Sequence, residues 1–120
     1  MKKVLIICGA GASSGFLAKN VRQALKARDL SNEYSVIARS DSELSEYIDD
    51  IDMLLLGPHL KYMLKDKEEY CKNHGNVPVY VIDQRIYGSL NGNGIIDFII
   101  EKFNSGGKVW INLWILYREF

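Results

Sequence analysis

Cys8 heads a run of small residues, Cys8-Gly9-Ala10-Gly11-Ala12-Ser13-Ser14-Gly15. With no bulky side chain in the way, backbone N–H groups of such a loop can turn inward around a bound anion. A helix that starts just beyond it presents its positive end to the same point. A thiol beside a helix N-terminus is expected to have its pKa lowered toward neutrality, which populates the thiolate nucleophile. Nucleophile and tetrahedral-anion cradle together point to a phosphocysteine intermediate. In that reading Cys8 is the reacting residue, and Gly9, Ala10, Gly11, Ala12, Ser13 and Ser14 form the phosphate-binding loop. The plainer alternative is that Cys8 is a small apolar residue ending a buried strand, as free cysteines often are. The anion-shaped loop directly after it weighs against that alternative.

Other anion-binding motifs fit the loop less well. A dinucleotide fingerprint needs Gly-x-Gly-x-x-Gly; Gly9 and Gly11 comply, but Ser14 stands at the third glycine and Gly15 comes one place late. A nucleotide P-loop needs Gly-Lys-Ser/Thr at the helix start, and the first lysine after the loop is Lys19. A receiver domain needs acidic residues after the first strand and an aspartate ending the third, where this chain has Leu56-Gly57-Pro58. A low-molecular-weight tyrosine phosphatase or arsenate reductase places an arginine after a cysteine and five residues, to clamp the phosphate. That position is Ser14. Without the arginine, a phosphocysteine can still be held by N–H groups and serines, but the strongest tool for discharging it to water is missing. This suits a carrier whose phosphoryl group waits for an acceptor.

Such a loop needs a sheet to hold it, and four short apolar runs supply one: Val4–Ile7, Tyr34–Ala38, Met53–Leu56 and Val79–Ile82. They are continuous rather than alternating, the pattern of strands buried on both faces of a parallel sheet. Helical spacing lies between them. From Ser14 to Arg28, the residues Phe16, Leu17, Val21, Ala24 and Leu25 form an apolar stripe opposite Lys19, Arg22 and Lys26, a face that is ordinarily solvated. Ser40-Asp41-Ser42-Glu43 opens a second helix with a stripe of Leu44, Tyr47, Ile48 and Ile51. Pro58 opens a third with Leu60, Met63, Leu64 and Tyr70. The last runs from about Gly92 to Phe103. The predicted fold class is α/β, an open four-stranded parallel sheet with helices on both faces, flavodoxin-like and resembling low-molecular-weight tyrosine phosphatase.

In doubly wound sheets, ligands bind beyond the carboxyl ends of the strands. That places His59, Tyr62, Asp83 and Tyr87 as a candidate partner-facing rim, while Asp83 is equally explained as the N-cap of a following helix. Cys71 and His74 fall at the far end of the third helix, away from this chemistry. No His, Cys, Asp and Glu cluster has metal-ligand spacing, and neither a metal nor an organic cofactor is expected. The 120 residues carry 15 basic and 15 acidic side chains, so no overall field draws the chain to nucleic acid or anionic lipid. The apolar start ends too soon for a signal peptide, and no run is long enough for a membrane span. Two distant cysteines without a Cys-x-x-Cys pair fit a reducing cytoplasm. After Asn104 the segment 105–120 breaks the α/β pattern and holds both tryptophans. It reads as an extra strand, a partner-docking segment or residues foreign to the natural protein.

Three stretches in order carry a family resemblance: Val4-Leu5-Ile6-Ile7-Cys8-Gly9-Ala10-Gly11-Ala12-Ser13-Ser14, Leu54-Leu55-Leu56-Gly57-Pro58-His59-Leu60-Lys61-Tyr62-Met63-Leu64, and Val81-Ile82-Asp83-Gln84-Arg85-Ile86-Tyr87-Gly88. With them, residues 1–104 resemble the enzyme IIB component of the lactose/cellobiose (chitobiose) family of the bacterial phosphoenolpyruvate-dependent sugar phosphotransferase system. Ala12 departs from the larger residue, such as methionine, usual there. The resemblance implies that Cys8 accepts phosphate from a phosphohistidine on a IIA protein. It then donates the group to a sugar bound by the membrane-embedded IIC permease, with the IIB domain cytoplasmic and peripheral through that partner. The alternatives are a phosphatase or arsenate reductase-like enzyme and a non-catalytic anion-sensing module.

Overall fold

The computed structural model describes residues 1–8 and 12–105, the side chains of 12–14 and 105 excepted. Four strands, β1 (Lys2–Ile7), β2 (Tyr34–Arg39), β3 (Met53–Leu56) and β4 (Val79–Val81), form one sheet in the order β2-β1-β3-β4. All pairs are parallel: Val4 lies opposite Val36 on one side and Met53 on the other, and Leu54 opposite Val79. The helices are α1 (Ala12–Ala27), α2 (Leu44–Tyr47), α3 (Leu64–Lys72), α4 (Gln84–Gly88) and α5 (Gly92–Ser105). The four apolar runs thus become the four strands, within two residues at each end.

The continuous apolar runs belong to central strands because both faces are covered. Val4 to Ile7 and Met53 to Leu56 are fully buried. Side chains alternate between faces along a strand, and two separate cores result. Val4, Ile6, Cys8, Met53 and Leu55 pack with Leu17, Val21 and Leu25 of α1 and Ile95, Ile96 and Ile99 of α5. Leu5, Ile7, Leu54 and Leu56 pack on the other side with Leu44, Ile48, Leu60 and Cys71. Cys8 therefore continues the alternation of Val4 and Ile6, and its side chain faces the α1/α5 layer.

Some elements differ from the spacing-based expectation. Ser40 and Glu43 do form a capping box, with Ser40 Oγ donating to Glu43 Oε1 at 2.8 Å. It starts a 3-10 turn (Asp41–Glu43) and only one turn of α-helix. The chain must leave the helix early to enter the sheet: Asp52 N donates to Lys3 O (2.7 Å), and the Asp52 carboxylate accepts from Lys3 N (2.8 Å). Pro58 likewise begins a 3-10 stretch (Pro58–Met63) that becomes α3 only at Leu64. The apolar stripe assigned to α1 is also corrected, since Phe16 is 57% exposed while Leu17, Val21 and Leu25 are buried. The segment from 106 to 120 lies outside the described residues.

α1 and α5 approach closely at Gly92. A Cβ there would sit 2.7 Å from the Asn20 carbonyl carbon and nearer still to its oxygen. Asn20 Nδ2 donates to Leu90 O (2.9 Å) at the same crossing, and the partly exposed Arg28–Asp97 pair (3.0 Å) adds little beyond it. Gly92→Ala forces backbone against backbone and is expected to cost about 1–3 kcal/mol by overpacking. A lowered urea midpoint at unchanged slope checks this.

Candidate functional site

The strand order reverses direction between β1 and β3, so the carboxyl ends of these strands form the topological switch point where ligands bind in doubly wound folds. Gly57 N donates to Ile7 O (2.9 Å) there, extending the β1–β3 ladder by one step. Cys8 follows directly and is 3% exposed. α1 begins four residues later. The candidate phosphate-binding loop falls mostly outside what the structure describes: Gly9, Ala10 and Gly11 entirely, and the side chains of Ala12, Ser13 and Ser14.

The opposite wall of the site comes from the chain after β4. Asp83 caps α4, its Oδ1 accepting from Arg85 N (2.8 Å) and Ile86 N (3.3 Å). One turn on, Tyr87 N donates to Asp83 O (2.9 Å), and the half-buried Tyr87 side chain packs against the core cluster that contains Cys8. The His59 ring lies beside the Tyr87 ring, with centroids 5.6 Å apart at 53°. Gly57 leaves room for both: a Cβ there would come within 2.7 Å of His59 Cε1 and 3.4 Å of Tyr87 Cε1. Pro58, His59, Gln84, Tyr87 and Gly88 line a cavity of about 300 Å³ at this end of the sheet.

Electrostatics at the thiol run against the lowered pKa expected from the sequence. Burial pushes the Cys8 thiol up, because desolvation penalises the thiolate, and the Tyr87 hydroxyl offsets this only in part. Cys71 is raised for the same reason, with Lys67 opposing. A thiol whose folded pKa exceeds its unfolded value contributes stability that is complete below the unfolded pKa, about 8.5, and is lost as pH rises through the folded value.

Of the four rim candidates, the structure brings His59 and Tyr87 together at the carboxyl end of the sheet. Tyr62 is on the turn after β3 and 78% exposed, and the Asp83 carboxylate is engaged as a cap. Cys71 belongs to the opposite core, and His74 stacks on Tyr70 (4.1 Å between centroids) with Nδ1 2.7 Å from Tyr70 O. Among the described residues no group of three or more His, Cys, Asp and Glu is placed to hold a metal ion. Sequence reasoning missed the packing of Tyr87 against the His59 ring. The available signal was the spacing Asp83-x-x-x-Tyr87, which puts the tyrosine one turn beyond a cap at the end of the sheet.

Residues 3–98 match the family model described as PTS system, Lactose/Cellobiose specific IIB subunit. The chain belongs to that family. It is 26% identical over 92 residues to the oligo-beta-mannoside-specific EIIB component of Bacillus subtilis (strain 168), covering 77% of this chain and 86% of that protein. It is 30% identical over 98 residues to the lactose-specific EIICB component of Lacticaseibacillus casei, covering 80% of this chain but 16% of that much longer protein. The cellobiose-specific IIB component of Borrelia burgdorferi has a similar structure, with a TM-score of 0.69 at 29% identity over 87% of this chain and 93% of that one. The lactose-specific IIB domain of Streptococcus pneumoniae shares the fold, with a TM-score of 0.70 at 14% identity over 83% and 95% of the two chains.

The raised thiol in this IIB domain has a direct readout. Iodoacetamide labelling of Cys8 in the native protein, followed by peptide mass across neutral to alkaline pH, is expected to titrate above the value of a free cysteine, about 8.5. A midpoint below it contradicts the burial argument.

Proposed function

We propose that this IIB domain is a phosphocarrier in which Cys8 receives a phosphoryl group from a IIA phosphohistidine and passes it to a sugar held by a IIC permease. The observation that carries the reading is a buried thiol at the switch point of a doubly wound sheet in a chain of this family. The IICB relative, which by its name joins the membrane and IIB components, supports a IIC partner. No described helix is long and apolar enough to cross a membrane, so in this proposal the sugar-conducting step belongs to the partner. The domain spans residues 1–104 and acts on the cytoplasmic side, held near the membrane by the permease; residues 105–120 lie outside the phosphocarrier unit.

On uptake, the Cys8 sulfur attacks phosphorus in line with the departing imidazole nitrogen. The S–P bond forms, the N–P electron pair stays on nitrogen, and the thiol proton ends there, so the thiol need not be ionised at rest. On delivery, a sugar hydroxyl oxygen attacks phosphorus, the S–P pair returns to sulfur, and the hydroxyl proton ends on the thiol. The protein's part is positioning and anion stabilisation by preset dipoles. Gly9 to Ser14 hold the phosphoryl oxygens, and Ser14 in place of an arginine leaves hydrolysis slow. His59, Tyr62 and Asp83 form the rim on which the partner proteins sit.

Incubation with phosphoenolpyruvate, the general phosphotransfer proteins and candidate IIA proteins is expected to add one phosphoryl group to wild type and none to Cys8→Ser, as read by intact mass. Gly11→Val is expected to slow uptake by about tenfold or more by closing the cradle. Phosphorylation of Cys8→Ser at the wild-type rate would reject the site.

A further inference from the structure

We propose that the cavity after β3 and β4 is a subsite for the acceptor sugar on the IIB domain itself, with Gln84 as a specificity-determining residue. This rests on the phosphocarrier reading and deepens it: the domain that carries the phosphoryl group also touches the neutral ring that receives it.

Gly57 N donates to Ile7 O and Ile82 N to Leu56 O, both at 2.9 Å. The chain therefore leaves β1 at Cys8, β3 at Gly57 and β4 at Asp83, three neighbouring strand ends at one end of the sheet. The cavity of about 300 Å³ is lined by residues that follow the last two: Pro58, His59, Gln84, Tyr87 and Gly88. With strands about 5 Å apart, it lies one or two strand spacings from Cys8, about 5–10 Å along the sheet. A phosphoryl group on sulfur followed by one pyranose ring spans such a gap.

The walls select a neutral ligand. Pro58 and the His59 and Tyr87 rings, tilted at 53° to each other, make an apolar corner. Gly57 leaves room for it, because a Cβ there would come within 2.7 Å of His59 Cε1. The exposed Gln84 side chain brings donors and an acceptor in one uncharged group. Among the described residues no lysine, arginine, aspartate or glutamate lines the cavity, so an ionic ligand finds no counter-charge. A sugar ring presents C–H groups to an apolar corner and hydroxyls to an amide, the pairing of apolar wall and few placed polar groups that ligand pockets use. On delivery the reacting hydroxyl oxygen attacks phosphorus, the S–P electron pair returns to sulfur, and the hydroxyl proton ends on the thiol. The subsite holds the rest of the ring, so the attack starts from a fixed position.

The test titrates the full-length, unphosphorylated protein with cellobiose, lactose and β-1,4-mannobiose, following amide resonances by NMR, with glycerol as the polyol control. Saturable shifts at the Gln84 side-chain amide and the Gly88 N–H, half-complete at roughly 1–50 mM, are expected with at least one disaccharide and not with glycerol. Gly88→Leu fills the cavity from a point where an added Cβ meets nothing within 4 Å, and is expected to abolish the shifts with the fold kept. Gln84→Ala is expected to raise the half-saturation point about three- to tenfold, the loss of one neutral hydrogen bond. The sugar concentration for half-maximal delivery in permease membranes should rise with it. No saturable shift with any of the three sugars, or shifts that persist in Gly88→Leu, overturns the proposal. So does a Gln84→Ala variant that slows phosphorylation by the IIA protein as much as delivery, because the cavity then seats a protein. The titration requires no phosphoryl transfer. Failure of wild type to become phosphorylated therefore counts against the carrier reading, while the shifts still decide whether the cavity takes a sugar.

Discussion

The hydrogen bond from Gly57 N to Ile7 O (2.9 Å) closes the last rung between the two central strands, and what lies beyond it must diverge. From β1 the chain goes to one side of the sheet and from β3 to the other. An opening is so created at the carboxyl end of the sheet. Cys8 sits at its floor because the period of two that buries Val4 and Ile6 also turns Cys8 toward α1 and α5. Gly57 lacks a side chain at the point where His59 and Tyr87 fold over. Tyrosine and imidazole meet at this end of the sheet because of where β3 and β4 end.

That placement imposes a conflict between packing and reactivity. A sulfur 3% exposed is well packed and poorly ionised. Burial keeps the resting thiol neutral by penalising the thiolate. A neighbouring donor then matters more than it would at an exposed site, since an electrostatic contact is stronger where water is excluded.

Most of the fold was legible because it depends on contiguous residues. Val4–Ile7 and Met53–Leu56 are apolar without interruption, which only a doubly covered strand explains, and Pro58 and Ser40 mark helix starts by local chemistry. What the sequence concealed depends on tertiary placement. The stripe containing Phe16 has helical spacing, yet Phe16 is exposed while Leu17 beside it is buried, because the face α1 turns to the sheet does not include it. The length of α2 is cut by the pairing of Asp52 with Lys3, some 49 residues away. At the site, Cys8 could be singled out from its loop, but the direction of its pKa could not. Helix proximity is visible in a sequence, whereas desolvation by the packed α1/α5 layer is not. Tyr87 was visible as a tyrosine near the right end of the sheet, and its packing against His59 required the path of α4.

The central claim is that the phosphoryl group waits on Cys8 for a sugar rather than passing to water. The most direct measurement follows the label on isolated phosphoprotein, first in buffer alone and then with permease membranes and candidate sugars. A carrier is expected to hold its label in buffer and lose it rapidly to sugar phosphate when both membrane and the right sugar are present. Rapid release as inorganic phosphate in buffer, unaffected by membrane and sugar, would contradict the account and mark the domain as a hydrolase.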